Sequence, residues 1–281
     1  MSQYATFPVT MNTHKTKRSR GIYLLPNLFT TAALFGGFFA ILAGMNGNFE
    51  HAALAIFASM ILDGLDGRVA RMTNTQSNFG AEYDSLADMV SFGLAPSLVL
   101  YQWALSDIGK AGWLAAFVYT AGTALRLARF NTQVGIADKR YFQGLPSPAA
   151  AAIIAGMVWL GVDHGIDGND ISYIAALLSV MTGLLMVSNV RYHSFKEVDF
   201  RNKVPFFVMV IIMLGFALVL LQPPLVLFLV FLGYATAGPV LTLLKLKQHR
   251  ESRHTSNSDE DDAGADASTD TDAEKIKTDE Q

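Results

Sequence analysis

The chain has 281 residues, 51% hydrophobic and 16% charged, with a mean hydropathy of +0.31. That balance excludes an ordinary soluble globule, and the absence of cysteine excludes disulfides and thiolate metal ligands. The net charge is −3, but residues 251–281 hold eleven acids against Arg253, Lys275 and Lys277; that net of −8 leaves +5 on the remainder.

Residues 1–21 are polar and basic, with His14, Lys15, Lys17, Arg18 and Arg20. No small-residue cleavage site follows a short apolar run, so the first apolar segment reads as a retained span and not a signal peptide. The basic stretch can lie on the membrane surface, where each cation favours anionic head groups by about 1 kcal/mol, or act only as a topogenic signal. A span needs about 20 predominantly apolar residues, and eight segments qualify: 22–46, 50–72, 79–106, 111–131, 147–163, 170–189, 204–221 and 224–245. Asp63, Asp66, Arg68 and Arg71 crowd the end of the second. From about 251 the chain is Ser, Thr, Asp, Glu and Ala with almost no large apolar residue, a composition expected to be disordered. The expected fold is therefore an all-α integral membrane protein of about eight transmembrane helices. It divides into a cytoplasmic N-terminal segment 1–21, a transmembrane domain 22–245 that carries the chemistry, and a cytoplasmic tail 246–281.

Lysine and arginine orient the spans. With the N-terminus in the cytoplasm, the outer loops hold only Lys110, and 20 of the 21 basic residues lie inside. The outer loop near Asp163, Asp167 and Asp170 is acidic. Both termini are then cytoplasmic, as expected of a bacterial inner-membrane protein. No nucleic-acid partner is expected.

Four carboxylates stand out. A charged side chain at a membrane helix centre costs about 2.5–3.5 kcal/mol on insertion scales, yet Asp63, Asp66, Asp84 and Asp88 fall within or at the edge of two neighbouring spans. Asp63 and Asp66 are three apart and share a helix face, as do Asp84 and Asp88, four apart. The polar turn Thr73 to Asn78 lets the two helices bring all four together. Hard oxygen ligands suit Mg²⁺ or Mn²⁺, and two such ions could clamp a pyrophosphate. Gly67, Ala70 and Gly80 leave room for a flat group to approach the backbone, and Arg71 can neutralise a phosphate. The competing reading is a set of ion pairs, Asp66 with Arg71 or Asp63 with Arg68, which leaves Asp84 and Asp88 without nearby basic partners.

Asp63, Asp66, Gly67, Ala70, Arg71, Gly80, Asp84 and Asp88 match D-x2-D-G-x2-A-R-x8-G-x3-D-x3-D at every fixed position. The chain thereby resembles the CDP-alcohol phosphotransferase family. The resemblance implies transfer from a CDP-activated lipid to an alcohol with release of CMP. It also implies metal binding by Asp63, Asp66 and Asp84, and a role for Asp88 as metal ligand or as general base on the acceptor hydroxyl. CDP binding would fall to Gly67, Ala70, Arg71 and Gly80, and a homodimer is implied as well.

That pattern fixes the donor and leaves the acceptor open. Pro26-Asn27-Leu28-Phe29-Thr30, Arg129-Phe130-Asn131 with Phe142-Gln143-Gly144-Leu145-Pro146-Ser147-Pro148, and Ser188-Asn189-Val190-Arg191-Tyr192 resemble the branch whose acceptor is L-serine and whose donor is CDP-diacylglycerol. Serine is a zwitterion whose carboxylate needs a cation or amide donors. Arg126 and Arg129, three apart at the cytoplasmic end of the fourth span, can share a face, and a guanidinium fork binds carboxylate or phosphate through two bonds. Arg126, Arg129, Asn131, Ser147 and Arg191 are the candidates for acceptor or lipid-phosphate binding. The alternatives are that the arginines only mark the inner boundary, that Ser147 is an N-cap, and that Asn27 packs between helices. Gly36 and Gly37 read as helix-packing positions. His193 and Lys196 lie three apart and not as H-x-K, so a covalent-histidine route is not supported. Glycerol 3-phosphate or inositol phosphate remains open as acceptor; in another class, so does a cation-coupled transporter.

Overall fold

The computed structural model describes residues 24–132, 141–193 and 206–242. The basic segment 1–21, the inner-loop residues Lys139, Arg140, Lys196, Arg201 and Lys203, and the tail 246–281 lie outside the described residues. Among the described residues, eight helices fall on the eight expected segments: α1 (Leu24–Met45), α2 (Phe49–Thr73), α3 (Asn78–Ile108), α4 (Lys110–Thr132), α5 (Ser147–Asp163), α6 (Ser172–Val187), α7 (Phe206–Leu221) and α8 (Pro223–Thr242). Among the described residues, four stretches are long and apolar enough to cross a membrane, Leu25–Met45, Asn78–Ile108, Gly168–Val187 and Pro223–Thr242; Ser147–Asp163 and Phe207–Leu221 are shorter apolar helices. Large apolar side chains on the outside, among them Phe35, Phe38, Leu177, Phe207, Leu221 and Leu229, stay exposed. So much exposed apolar surface is untenable in water and suits acyl chains. This is a helical membrane protein.

Short connections make consecutive helices antiparallel. Asn46, Gly47 and Asn48 join α1 to α2, with Gly47 at φ +76°. Gly109, at φ +59°, separates α3 from α4. Cross-helix contacts give the directions. Thr30 meets Asp66 while Gly36 meets Ser59, so α2 runs against α1. Ala33 and Gly37 meet Ser91 while Gly44 meets Val99, so α3 runs with α1. The first turns of α1, α3 and α5 therefore share one end of the bundle with the last turns of α2 and α4.

Close approach explains two glycines that the sequence singles out. A Cβ on Gly36 would collide with Ser59 Oγ, and one on Gly37 would lie 2.6 Å from Ser91 Cα. Helix α1 is thus seated tightly against both α2 and α3. Helix α5 fills the centre: Ala149 to Val158 are all buried, as expected of a helix apolar all round. It packs on α2, α3 and α6, and α8 reaches it where Phe228 Cα would lie 3.2 Å from a Cβ on Gly156.

Two features depart from a plain helix bundle. Helix α3 widens into π-helical turns at Met89–Leu94 and Tyr101–Leu105. Pro96 has no N–H to offer the preceding turn, and the Phe92 carbonyl receives the Tyr119 hydroxyl of α4 at 2.9 Å instead. The second feature is a short antiparallel ribbon, β1 (Tyr141–Gln143) with β2 (Arg191–His193), registered Tyr141↔His193, Phe142↔Tyr192 and Gln143↔Arg191. It brings together two segments that the sequence keeps about fifty residues apart. Gly144, at φ +78°, turns the chain from ribbon to α5; its N–H donates to Val190 O at 2.9 Å, and that of Leu145 to Leu185 O at 3.0 Å. Tyr192 then pins the ribbon to α8, its hydroxyl donating to Ala235 O at 2.9 Å.

Candidate metal centre

The turn between α2 and α3 places the four aspartates. Helix α2 ends at Asn74, which takes a left-handed conformation (φ 51°) and sends its N–H back to Ala70 O and Arg71 O, the usual means of satisfying last-turn carbonyls. Helix α3 starts at Ser77, whose Oγ accepts the Gly80 N–H at 3.0 Å, a normal N-cap. A tight, capped reversal of this kind sets the last turns of α2 beside the first turns of α3.

Carboxylate oxygens of Asp63, Asp66 and Asp84 all lie within 4.8 Å of one another. The Asp63 carboxyl is also within hydrogen-bonding reach of both Asp84 and Asp88. Asp66 is 6% exposed and accepts the Thr30 hydroxyl of α1 at 2.7 Å. Among the described residues none of the four forms an ion pair; the pair present is His164 with Asp163, on the opposite end. The ion-pair reading of the cluster therefore finds no support. Oδ1 of Asp84 is buried with no hydrogen-bond partner. Such an atom is costly unless something else contacts it. Trans oxygens around a small octahedral cation sit about 4.2 Å apart, so small side-chain turns close this group on an ion. The donor set, carboxylates alone, fits a hard divalent cation.

Room for a ligand lies alongside. A Cβ on Gly64 would meet nothing within 4 Å, and one on Gly67 only Arg71 Nη1 at 3.7 Å. Gly80 faces Ser77 Oγ and Asn27 Oδ1, at 3.2 and 3.5 Å from a Cβ placed there. Asn27 of α1 thus packs against the first turn of α3. Ala70 is half-buried and Arg71 exposed on the same last turns of α2.

The acceptor-side candidates separate. Arg126 belongs with the aspartates: it lies in electrostatic range of Asp88, donates from Nη1 to Ser147 Oγ at 2.7 Å, and keeps a buried Nε without a partner. Ser147, fully buried, is the first residue of α5; the N-cap position falls to Pro146, which offers no side-chain bond. Arg129 reaches away, to Ser188 O at 3.5 Å and Asn189 Oδ1 at 3.3 Å, tying α4 to the segment after α6. Asn131 accepts from Ser85 Oγ at 3.1 Å and donates to Glu82 Oε2 at 3.5 Å, tying α4 to α3. Arg191 stands on β2, opposite Gln143.

Sequence reasoning did not single out Thr30, Tyr119 or Tyr234 by chemistry. Thr30 was visible inside the Pro26–Thr30 segment. Tyr234 of α8, in electrostatic range of Arg126 and 5.5 Å from Tyr192 between ring centroids, had no signal in an otherwise apolar span.

A membrane bundle with a carboxylate cluster at one end defines a class, and the comparisons narrow it. Residues 23–185 match the family model described as CDP-alcohol phosphatidyltransferase. The chain is 42% identical over 213 residues to CDP-diacylglycerol--serine O-phosphatidyltransferase of Helicobacter pylori, covering 75% of this chain and 87% of that one. It is 32% identical over 243 residues to the protein of the same description from Mycobacterium tuberculosis, with 84% of each covered. Archaetidylserine synthase of Methanothermobacter thermautotrophicus is 30% identical over 178 residues, 63% of this chain and 72% of that one. The chain belongs to the CDP-alcohol phosphatidyltransferase family.

Proposed function

We propose that this protein transfers the phosphatidyl group of CDP-diacylglycerol to the hydroxyl of L-serine, giving phosphatidylserine and CMP. The observation that carries the chemistry is the convergence of Asp63, Asp66 and Asp84 oxygens around a buried, unsatisfied Asp84 Oδ1. The relatives above, all described as serine-lipid synthases, support the acceptor. Asp63, Asp66, Asp84 and Asp88 would hold Mg²⁺ or Mn²⁺, two ions in our reading. Bound there, the cations would neutralise the pyrophosphate and the charge that develops on CMP.

The chain's own residues do the rest. Gly67, Ala70 and Gly80 admit the CDP group against the backbone, and Arg71 faces its phosphates. Asp88 accepts the proton of the serine hydroxyl as that oxygen forms its bond to the lipid-bearing phosphorus. The bond from that phosphorus to the CMP oxygen breaks, and CMP leaves. One in-line displacement needs no covalent enzyme species. Arg126 holds the serine carboxylate. Carboxylate and hydroxyl sit on adjacent carbons of serine, so the cation that binds one must neighbour the base that serves the other, and Arg126 neighbours Asp88. Its buried Nε, without a partner, is a donor left for that carboxylate while Nη1 bonds Ser147. Arg129 and Asn131 position α4; Arg191 is assigned to the acceptor or lipid-phosphate side.

In the membrane we read all eight helices as spans, with both termini and the site cytoplasmic, because the basic residues bias that end. A homodimer is part of the same reading. The test is CMP release in detergent with Mg²⁺ or Mn²⁺ across serine, glycerol 3-phosphate and inositol phosphate. Serine-dependent release supports the proposal. Release with another acceptor alone overturns the serine assignment, and no release with any of them overturns the transferase reading in favour of a transporter.

A further inference from the structure

We infer that Thr30, on the first turns of α1, is a positioning residue for the cation site: it fixes the carboxylate of Asp66 and so sets how tightly the site holds its ion. The inference rests on the metal reading above and concerns a segment, Pro26–Thr30, that the chemistry does not otherwise use.

Thr30 is 4% exposed and Asp66 is 6% exposed. The Thr30 hydroxyl lies 2.7 Å from Asp66 Oδ2 and 3.2 Å from Pro26 O. One hydroxyl proton serves one acceptor well. The shorter distance and the charge on the carboxylate assign it to Asp66, leaving the threonine's own helix as the minor partner. Asp66 has no cation within ion-pair distance among the described residues, and Thr30 is the side-chain donor recorded on it. The Gly67 N–H of its own helix also bonds the carboxylate, so the Thr30 hydroxyl is the bond that holds it from another helix in the group it shares with Asp63 and Asp84.

The threonine is itself held firmly. Its β-branch restricts χ1. The helix beneath it is seated on α2 and α3 by Gly36 and Gly37, where a side chain would collide with Ser59 or Ser91. Its neighbour Thr31 bonds the Tyr83 hydroxyl of α3 at 2.9 Å. Helix α1 therefore contacts both aspartate-bearing helices within one turn, and Thr30 is the point where that contact reaches a ligand. Partners of this kind orient ligands before the ion arrives, and their loss commonly lowers metal affinity by about 10–100-fold.

The test is direct Mn²⁺ binding to the full-length protein in detergent, by electron paramagnetic resonance titration without substrate. It compares the native chain with Thr30→Val, Thr30→Ser and Ser91→Ala. Ser91 donates to Ala33 O at 3.0 Å, so its removal loosens α1 against α3 without touching a carboxylate. The inference expects Thr30→Val to weaken Mn²⁺ binding at least 10-fold, Thr30→Ser to restore most of it, and Ser91→Ala to bind as the native protein does. Equal affinity for Thr30→Val and the native chain would overturn it. So would equal weakening by Thr30→Val and Ser91→Ala, which would reduce Thr30 to helix packing. A native chain that binds no Mn²⁺ would remove the metal reading itself, a result separable from both.

Discussion

At a pH alkaline enough to ionise all three, the carboxylates of Asp63, Asp66 and Asp84, within 4.8 Å of one another and with no ion pair among the described residues to offset them, carry a calculable penalty. Unit charges at 4.8 Å repel by about 3.5 kcal/mol at an effective dielectric of about 20. Three such pairs sum to about 10 kcal/mol, as large as the whole stability of many domains. Asp63 and Asp84 are half-buried, and water reaching them lowers the sum by roughly half. Replacing Asp84 by Asn keeps the side-chain shape and deletes two of the three repulsions, worth roughly 3 kcal/mol after that reduction. In chelator the Asp84→Asn protein is therefore expected to melt higher than the native chain, by on the order of 10 °C. With Mn²⁺ the order should reverse. Binding at about a thousand times the dissociation constant adds about 4.1 kcal/mol to the native fold, more than the variant's advantage of roughly 3 kcal/mol, while the variant has lost a ligand and gains little. Thermal unfolding in detergent, followed through Trp103, Trp113 and Trp159, reads both shifts. If the native chain in chelator melts at or above the variant, the repulsion is absent and the cluster is not poised for a cation. If Mn²⁺ raises both melting temperatures equally, Asp84 is not a ligand.

Three further outcomes follow from the geometry. Asp88→Asn should lower CMP release by about 10²–10⁴-fold, the usual contribution of a positioned base, with the protein still folded and membrane-bound; a native rate would remove Asp88 from the reaction. Arg126→Lys should raise KM for serine about tenfold and leave KM for CDP-diacylglycerol within about twofold, because an ammonium cannot reproduce the fork; steady-state kinetics with each substrate varied decides whether the loss falls on the acceptor. Gly122→Val should destabilise by more than the usual 1–3 kcal/mol of overpacking, since a Cβ there lies 2.5 Å from the Gly183 carbonyl of α6. Gly215→Ala, which meets nothing within 4 Å, should instead stabilise by about 0.5–1 kcal/mol, and melting temperatures separate the two.

The sequence and the structure agree where a rule is local. Helix positions follow from runs of apolar residues, and the meeting of Asp63, Asp66 and Asp84 follows from three- and four-residue spacing plus one capped turn. Gly36 and Gly37 read as packing positions because small residues in apolar helices have few other uses. What stayed hidden depends on partners distant in the chain. No periodicity marks Tyr141–Gln143 or Arg191–His193 as strands, because three residues have no measurable period and the pairing exists only once α5 and α6 have folded between them. At the first π-helical turn of α3, Tyr119 of another helix takes the Phe92 carbonyl that Pro96 cannot serve. Arg126, Arg129 and Asn131 are equivalent as polar residues at the end of one span, yet the fold gives them different work.

That divergence has a simple origin. Along α4, Arg129 lies three residues after Arg126, about 60° round the helix and almost a turn further on, and Asn131 lies five after it, about 140° round. What each meets is set by the neighbouring helix in that direction. Asn131 meets α3 at Ser85, and Arg129 meets the segment after α6 at Asn189. Arg126 meets the first residue of α5, Ser147, within range of Asp88. Only the last of these keeps an unused buried donor. The two unsatisfied buried groups among the described residues are thus an acceptor, Asp84 Oδ1, and a donor, Arg126 Nε. They belong to the same end of the bundle, one in the carboxylate cluster and one beside Asp88. A site left short of one cation and one anion fits a divalent ion and an acceptor carboxylate better than it fits a transporter path for a cation alone.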